Sequence, residues 1–397
     1  MTSIACMRQN GLLAAQRHGD DVAPTFLDYN ATTPVDPRVL DAMLPWFRDP
    51  SNSGSRTHLF GQRAKDAVES ARSQVANVLG VGSEDIVFTS GATESNNLAI
   101  LGLAEFGKRT GRAHIVATAI EHKAVLEPLE RLARNGFTVE LAPVTRDGFV
   151  EPDEIRKRIR PDTLLVSVMH ANNETGVLQP IREIGELLAS TSVLFHTDAA
   201  QTFGKEPSLS DVAFDFASIS GHKIYGPQGI GALCVRRRKL DRRELLSLTA
   251  GGGQERGLRP GTLPVPLVVG LGKTSGLACV ESNQRGAHAA KLKADFLKEL
   301  SAVDFDVNGT VEHSQPHVVN ISFRGIDSEA LMMALRETVA ISNGSACTSS
   351  QYTPSHVLKA MGLGEERMES AVRISWGLAV KDIPVGVIVE AVKSLRG

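Results

Sequence analysis

Lys223 lies in a stretch whose residue types suggest chemistry more than structure. Residues 216–235 read FASISGHKIYGPQGIGALCV, with an apolar run on each side of Ser220-Gly221-His222-Lys223. Lysine is rarely buried, and burial lowers the pKa of its amine, which makes it a better nucleophile. A lone lysine in a loop is usually just solvated, but the flanking serine, histidine and glycines favour a reactive amine of the Schiff-base type.

The elements that must position this lysine form a regular alternation. Strands are predicted at residues 85–89, 114–118, 138–144, 164–169, 193–196, 214–219 and 231–235, and helices at 94–106, 123–135, 152–159 and 181–190. Several of the strand runs are continuously rich in Val, Ile and Leu, as strands buried on both faces are. The pattern predicts an α/β domain with a mostly parallel, seven-stranded sheet.

Polar residues follow most of these strands. In parallel sheets ligands bind beyond the carboxyl ends of the strands, so these residues are candidates for one site. They are Ala92 and Thr93 in SGATE, His122 in EHK, Asn173 in HANNE, Asp198 and Gln201 in DAAQ, and Ser220, His222 and Lys223 in SGHK. Each alone could be an ordinary cap or loop residue. Pyridoxal phosphate would suit the whole set, which comprises a helix N-terminus that binds anions, a carboxylate, an imidazole and a lysine.

Cys347 is the second candidate for chemistry. Residues 342–351 read SNGSACTSSQ, which contains almost no apolar anchor and predicts a mobile loop. Buried cysteines sit among apolar neighbours, whereas this one does not, so an exposed and reactive thiol is predicted. A lysine, pyridoxal phosphate and a thiol on a loop together suggest sulfur chemistry.

The remaining elements predict a second, smaller α+β domain. A strand is expected at 24–30, a helix at 37–47 with Asp36 as N-cap and Pro37 as first residue, and a helix at 55–79. Beyond residue 236 we expect a helix from about Leu267, another at 287–300, and strands at 318–323, 339–341 and 373–375. The predicted division is an N-terminal arm (1–25), a large domain (37–281) and a small domain (26–36 with 282–397).

Composition limits the partners. The formal net charge is −2 and aromatic residues make up 5% of the chain, so neither direct nucleic-acid binding nor a membrane surface is expected. The four cysteines (6, 234, 279 and 347) form no CxxC pair, so no metal site and no disulfide framework is expected. A reducing, cytoplasmic location fits this cysteine usage.

The chain resembles the NifS/IscS-like cysteine desulfurases of the class-V aminotransferase family, from about Phe26 to about Gly377. The motifs that carry the resemblance are DYNATTPVDPRV, TSGATESNNLAI, EHKAVL, HANNETG, TDAAQ, SGHKIYGPQGIGAL, GGGQERGLRPGT and GSACTSS. The resemblance implies the fold-type I pyridoxal-phosphate fold. It also implies conversion of L-cysteine to L-alanine with sulfur passing to the enzyme.

Residue roles follow from the resemblance alone. It makes Lys223 the Schiff-base lysine, His122 the residue stacked on the cofactor ring and an acid/base for the thiols, and Cys347 the nucleophile that forms a persulfide. Asp198 resembles the partner of the pyridinium nitrogen and Gln201 the contact to the ring hydroxyl. The resemblance assigns cofactor binding also to Ala92, Thr93, Ser220, His222, Asn173 and Thr262. Asn173 and Arg373 resemble the groups that hold the substrate carboxylate.

The resemblance also implies partners. Thr262 resembles a phosphate ligand supplied by the other subunit, which implies a homodimer with shared sites. A sulfur-acceptor protein is expected, in iron–sulfur assembly, tRNA thiolation or DNA phosphorothioation. The longer N-terminal arm and an end about twenty residues after Gly377 favour a dedicated acceptor over a cluster scaffold. A selenocysteine lyase, a related aminotransferase and a non-catalytic protein of the same fold remain as alternatives.

Overall fold

The computed structural model describes residues 23–396 except 56, 207–208, 237–238, 242–243 and 344–353. The strands are β1 (Thr25–Phe26), β2 (Ile86–Thr89), β3 (His114–Thr118), β4 (Thr138–Ala142), β5 (Thr163–Ser167), β6 (Leu194–Asp198), β7 (Phe216–Ser220), β8 (Gly231–Val235), β9 (Asp306–Val307), β10 (Val318–Ser322), β11 (Val339–Ala340) and β12 (Ala371–Ser375). The helices are α1 (Pro37–Arg48), α2 (Leu59–Leu79), α3 (Ala92–Leu101), α4 (Ala104–Thr110), α5 (Lys123–Ala133), α6 (Pro152–Arg156), α7 (Ile181–Ala189), α8 (Val265–Leu300), α9 (Ser328–Leu335), α10 (His356–Ala360), α11 (Glu365–Glu369) and α12 (Val385–Arg396).

A seven-stranded sheet in the order β2-β8-β7-β6-β5-β3-β4 forms the centre of the molecule. The strands from β7 to β4 run parallel, and β8 pairs antiparallel with both β7 and β2. This confirms the predicted mostly parallel sheet of seven strands. Successive residues of a strand face opposite sides, so Val116 packs in the core under α2, α7 and α8, whereas Ile115 packs in the core under α3 and α5.

A separate apolar core surrounds β10 and β12, which pair antiparallel with each other. The C-terminal half of α8 contributes Ala289, Leu292 and Phe296 to this core, and Leu27 and Tyr29 join it from the N-terminal segment. Strand β1 pairs in parallel with β11. The domain division at residues 36 and 281 stays a prediction. In the described part of the chain, no helix has the length and apolarity needed to cross a membrane.

Several of the predicted elements were wrong in extent. The expected helix at 94–106 is two helices, because the carbonyl of Gly102 accepts a hydrogen bond from the Leu246 amide of a neighbouring segment. The two helices expected after Leu267 are one 36-residue helix, α8, whose polar middle is partly or fully exposed and includes a Glu281–Arg285 pair at i,i+4 spacing. The strand expected at 24–30 is a two-residue strand, β1, followed by an isolated bridge between Asp28 and Ser375.

Glu255 attaches the glycine-rich loop at 251–262 to the central sheet. Its carboxylate accepts hydrogen bonds from the Arg72 guanidinium at 2.7 and 2.8 Å and from the Phe88 amide at 2.7 Å. The side chains of Glu255 and Arg72 are 2% and 4% exposed, so the pair is shielded from water. Loss of one partner would leave a buried charge without compensation.

We expect Glu255→Gln to lower the free energy of unfolding by about 3–5 kcal/mol, the usual cost of breaking a buried pair. Equilibrium urea unfolding measures this change. Glu69→Gln is the matched control, because Glu69 contacts the same guanidinium at 3.2 Å but its side chain is 51% exposed. Its removal should cost less than about 1 kcal/mol. Equal effects of the two substitutions would contradict this account of the loop.

Candidate active site

A cleft of about 800 Å³ lies at the carboxyl edge of the parallel strands. Its volume is in the range of sites for small molecules and cofactors. The lining includes nearly all of the predicted site residues, namely Ala92, Thr93, His122, Asn173, Asp198, Gln201, Ser220, His222, Lys223 and Arg373. Residues that are up to 281 positions apart in the sequence therefore line one cleft, as the rule for parallel sheets predicted.

Lys223 follows β7 in a single 3₁₀ turn and extends its amine toward the N-terminal segment. Its Nζ donates to the backbone carbonyls of Asn30 at 2.5 Å and Ala31 at 2.8 Å. Both partners are neutral carbonyl oxygens, and they hold the amine at the wall of the cleft. An amine held in this way is placed for covalent chemistry on a ligand in the cleft.

Asn30 connects several of the site residues. Its carbonyl accepts from Gln201 Nε2 at 3.0 Å as well as from Lys223, and its side-chain Nδ2 donates to the Asn173 carbonyl at 3.2 Å. Asn30 is buried, and its amide nitrogen donates to Ser375 Oγ at 2.9 Å on β12. One residue of the N-terminal segment thus fixes the lysine, the glutamine and the asparagine relative to one another.

Asp198 ends β6 and is buried at the bottom of the cleft. One carboxylate oxygen accepts from Asn96 Nδ2 at 2.6 Å, and the other accepts from the Ala200 amide at 2.9 Å. Both bonds come from neutral donors, which orient the carboxylate without neutralising its charge. A buried carboxylate of this kind stabilises a protonated heterocyclic nitrogen beside it.

His122 caps α5 at the opposite wall. Its Nδ1 accepts from the Ala124 amide at 3.0 Å, so in the neutral ring the proton sits on Nε2. Burial lowers the pKa of His122, and the neighbouring charge of Lys223 acts in the same direction, while Asp198 opposes it. The ring is therefore neutral at pH 7, with one proton to donate.

The phosphate end of the predicted site lies where α3 begins. Gly91 provides no side-chain cap for this ten-residue helix, and Ala92 and Thr93 of its first turn line the cleft. Ser220 and His222 complete this end. Burial lowers the pKa of His222 to about 4, and the charges of Lys223 and Lys205 add to the effect. A neutral imidazole and free helix amides suit a phosphate group.

The substrate end is formed by Arg373 on β12 and Asn173. The guanidinium donates to the Asn173 carbonyl at 3.0 Å and to Asp28 Oδ1 at 2.6 Å. Its Nε is buried and has no hydrogen-bond partner among the described residues. Arginine prefers planar, bidentate acceptors, so a carboxylate entering the cleft would meet a donor that is already oriented.

The residues fit pyridoxal phosphate. Gln201 Oε1 is a buried acceptor with no partner in the described part of the chain, although its Nε2 is held by Asn30. Buried polar atoms without partners are rare in native proteins, and such an atom in a cleft points to a ligand group that completes it. The ring hydroxyl assigned to Gln201 by the sequence resemblance would complete it. Lys223, Asp198 and the α3 N-terminus offer the amine, carboxylate and anion site that the rest of the cofactor needs.

Two predicted residues are missing from the described lining of the cleft, for different reasons. Thr262 is exposed and does not line the cleft, so its assignment to the site of a second subunit stays a prediction. Cys347 lies outside the described residues, as do residues 1–22 of the predicted arm. Conversely, the sequence analysis assigned no role to Asn30, Asn96 or Asp28. Each acts through a contact more than 100 residues away in the sequence, for which no local pattern exists.

Comparisons with known proteins agree with this geometry. The model of the aminotransferase class-V family matches residues 25–383. The cysteine desulfurase IscS of Anaeromyxobacter sp. (strain Fw109-5) is 48% identical over 381 residues, which are 94% of this chain and 93% of that protein. The crystal structure of DndA from Streptomyces lividans is 46% identical with a TM-score of 0.78, covering 87% of this chain and 98% of that one.

A third match is a structure of SspA in complex with cysteine. It is 39% identical with a TM-score of 0.78, and the match covers 88% of this chain and 98% of that one. These relatives confirm the predicted resemblance to cysteine desulfurases and the fold-type I architecture. The family match spans almost the whole described chain, so the chain belongs to the class-V aminotransferase family.

Proposed function

We propose that this protein is a pyridoxal-phosphate-dependent cysteine desulfurase that converts L-cysteine to L-alanine and carries the sulfur as a persulfide on Cys347. The reaction type and the cofactor are those of relatives named cysteine desulfurase, which match nearly the whole chain. The observation that carries the assignment of Cys347 concerns the described residues on either side of it in the chain: Ser342 bonds the cleft residue Arg373, and Ser355 and His356 bond Glu174 and Glu121, the sequence neighbours of the cleft residues Asn173 and His122.

The N-terminal end of this segment is attached at Arg373. The backbone of Ser342 exchanges two hydrogen bonds with the backbone of Arg373, and Ser342 Oγ donates to Asp28 Oδ1 at 3.0 Å. The same carboxylate oxygen holds the Arg373 guanidinium. Five residues of extended chain span at most about 18 Å, so this attachment keeps Cys347 within reach of the substrate end of the cleft.

The C-terminal end is attached beside Asn173 and His122. Ser355 Oγ donates to the buried Glu174 carboxyl at 2.5 Å, and His356 Nε2 donates to the Glu121 carbonyl at 2.9 Å. Burial raises the pKa of Glu174, which favours the protonated carboxyl and a neutral hydrogen bond. Cys347 is five residues after Ser342 and eight residues before Ser355, so both attachments are close to it in the chain and support its assignment.

Bound pyridoxal phosphate would supply an electron-withdrawing ring that makes the bonds around the substrate α-carbon easier to break. Lys223, Asp198, Gln201 and the α3 N-terminus would hold it, and the amine of Lys223 would accept and return the α-proton. Arg373 and Asn173 would bind the substrate carboxylate. The neutral His122 would pass a proton between the thiols, because its Nε2 carries the mobile hydrogen.

Sulfur transfer itself is a reaction of Cys347. Its thiolate attacks the sulfur of the substrate, a sulfur–sulfur bond forms, and the carbon–sulfur bond of the substrate breaks. The electron pair of the broken bond remains on the carbon skeleton, which takes up a proton and leaves as alanine. The sum is cysteine plus enzyme thiol giving alanine plus enzyme persulfide, so no external oxidant or reductant is consumed.

A visible spectrum with and without L-cysteine tests the proposal. The purified protein is expected to be yellow and to change its absorption when L-cysteine is added. It should form one alanine for each persulfide or, when a reductant is present, for each sulfide released. A colourless protein that takes up no pyridoxal phosphate would overturn the proposal. Unchanged alanine formation in a Cys347→Ala variant would instead favour the selenocysteine lyase alternative, because it would show that the carbon–sulfur bond breaks without Cys347.

The protein is predicted to be a homodimer in which Thr262 binds the cofactor phosphate of the other subunit. Loss of this hydroxyl is expected to weaken cofactor binding about tenfold, the effect of one hydrogen bond of about 1.4 kcal/mol. Fluorescence titration of Thr262→Ala with pyridoxal phosphate measures the change. Analytical ultracentrifugation at micromolar concentration should show a dimer.

Mixed dimers provide the control for this prediction. A dimer of one Lys223→Ala and one Thr262→Ala subunit contains one site with both residues intact only if Thr262 acts across the interface. Such mixtures should therefore recover sites of wild-type affinity. No recovery, or a fully active monomer, would show that Thr262 acts within its own chain or not at all.

The sulfur acceptor and the cellular location are also part of the proposal. We propose delivery to an acceptor protein, in iron–sulfur cluster assembly, tRNA thiolation or DNA phosphorothioation, in the cytoplasm. The described exposed cysteine is Cys279 on α8, and Cys234 is buried in β8. Pull-down with the persulfide-loaded protein, followed by transfer of radiolabelled sulfur to the captured protein, would identify the acceptor.

A further inference from the structure

A second cavity lies on the far side of the turn that carries Lys223. Ile224 and Tyr225, which directly follow that lysine, form part of its wall, and Trp376 and Ala289 contribute from the second core. Its volume is about 50 Å³. A buried water needs roughly 10–15 Å³ measured in this way, so the cavity has room for a few waters or one small ion.

Lys205 places a buried amine in this cavity. The hydrogen-bond partner of its Nζ within the described chain is His317 Nε2, at 3.3 Å. An ammonium has three protons to donate, and here only one of them has a partner. Burial lowers the pKa of Lys205 to about 7, with the charge of Lys223 adding to the effect. Burial also lowers the pKa of His317 well below its usual value, so that ring is a neutral acceptor.

Several other polar groups of the cavity can donate hydrogen bonds as well. Tyr29 is only 4% exposed and lines the cavity, so its hydroxyl can supply a hydrogen bond there. Arg285 stacks over the Tyr225 ring and is paired with Glu281 on its own helix. His288 donates Nε2–H to the Val380 carbonyl.

None of the described residues that line the cavity is acidic. The nearest carboxylates are already engaged. Glu281 bonds Arg38 and Arg285, and Glu206, next to Lys205 in the chain, accepts from Gln315 Nε2 at 3.1 Å. The lining of the cavity therefore carries an amine that is positive when protonated and further groups that can donate hydrogen bonds, but no carboxylate.

We propose that this cavity binds a small monovalent anion of the size of chloride, through the ammonium of Lys205 and the hydroxyl of Tyr29. A single ammonium neutralises one charge, and the apolar wall of Ile224 and Trp376 would penalise a divalent oxyanion much more strongly. The small volume excludes a metabolite. The site is separate from the cleft and does not depend on the proposed reaction.

An anion bound beside Lys205 would affect the cleft electrostatically. The charge of Lys205 is one of the causes that lower the pKa of His222, which lines the phosphate end. A bound anion would cancel part of this charge. Halides are therefore expected to raise the pKa of His222, and the expected rise is absent in a variant that lacks the Lys205 amine.

Bromide is the probe, because it substitutes for chloride and scatters anomalously. Crystals of the holoenzyme grown with sodium bromide should show an anomalous peak in contact with Lys205 Nζ and Tyr29 Oη. In solution, bromide should raise the melting temperature relative to sodium gluconate at constant ionic strength. Lys205→Met and Tyr29→Phe should weaken the apparent bromide affinity about tenfold or more.

Lys381→Met is the control, because Lys381 is exposed and does not line the cavity. It should leave the bromide effect unchanged. The proposal is wrong if no anomalous peak lies in the cavity, or if Tyr29→Phe and Lys205→Met respond to bromide as the unmodified protein does. Tyr29→Phe keeps the ring and its packing, so this test holds even if Lys205→Met folds poorly.

Discussion

Lys223→Ala should give a folded protein that lacks the absorption band of lysine-bound pyridoxal phosphate and forms no measurable alanine from L-cysteine. The substitution removes the amine that two backbone carbonyls hold at the wall of the cleft. It removes both the covalent attachment of the cofactor and the base for the α-proton. Proton transfer by a positioned group alone contributes roughly 10²–10⁴-fold, so activity should fall by at least about 10³-fold.

The measurement is an absorption spectrum after reconstitution with the cofactor and extensive dialysis, with alanine assayed in parallel. Lys123→Ala is the matched control, because Lys123 lines the same cleft but has no role in the proposed chemistry. It should keep the band. A band that survives dialysis in Lys223→Ala and disappears in Lys123→Ala would transfer the role to Lys123 and contradict the reading of the SGHK motif.

Parts of the fold could be predicted because their signals are local. The runs at 114–118 and 231–235 are β3 and β8 residue for residue, since both are short apolar segments whose neighbours interrupt the pattern. The N-cap at Asp36 was also correct, because its side chain accepts from the Arg38 amide and proline follows it. Positions after strands line the cleft since parallel strands end at one edge.

The features of the fold and of the site that could not be predicted depend on contacts between residues far apart in the sequence. The helix break at Gly102 depends on Leu246, and the continuity of α8 depends on its packing with α1 and α2 at one end and with the second core at the other. Asn30 was part of a recognised motif, but its contacts with Lys223, Gln201 and Asn173 could not be derived from spacing. Long-range hydrogen bonds to backbone carbonyls have no periodic signature.

Cys347→Ser should leave the cofactor bound and the response of the spectrum to L-cysteine intact, but should abolish persulfide formation and reduce alanine formation at least about 100-fold. The cofactor and substrate groups lie on the sheet edge and on β12, and none of them requires the thiol. A serine hydroxyl has the shape of the thiol but is a far weaker nucleophile toward sulfur, and it cannot hold a persulfide. Binding and chemistry should therefore separate in this variant.

Cys279→Ser is the matched control for this prediction. Cys279 is exposed, yet partial burial raises the pKa of its thiol, so little thiolate forms at pH 7. Its removal should change neither the spectrum nor the yield of alanine. Cys234 is buried in β8 and is not accessible to substrate.

The decisive measurement for Cys347 is the position of the transferred sulfur. The protein is incubated with radiolabelled L-cysteine, alkylated and digested, and the labelled peptide is mapped by mass spectrometry. Ser342, five residues before Cys347, bonds the cleft residue Arg373, and Ser355 bonds Glu174 beside Asn173, so the label should appear on Cys347. A label on Cys6 or Cys279 with Cys347 unlabelled, or near-normal alanine formation by Cys347→Ser, would mean that another nucleophile takes the sulfur.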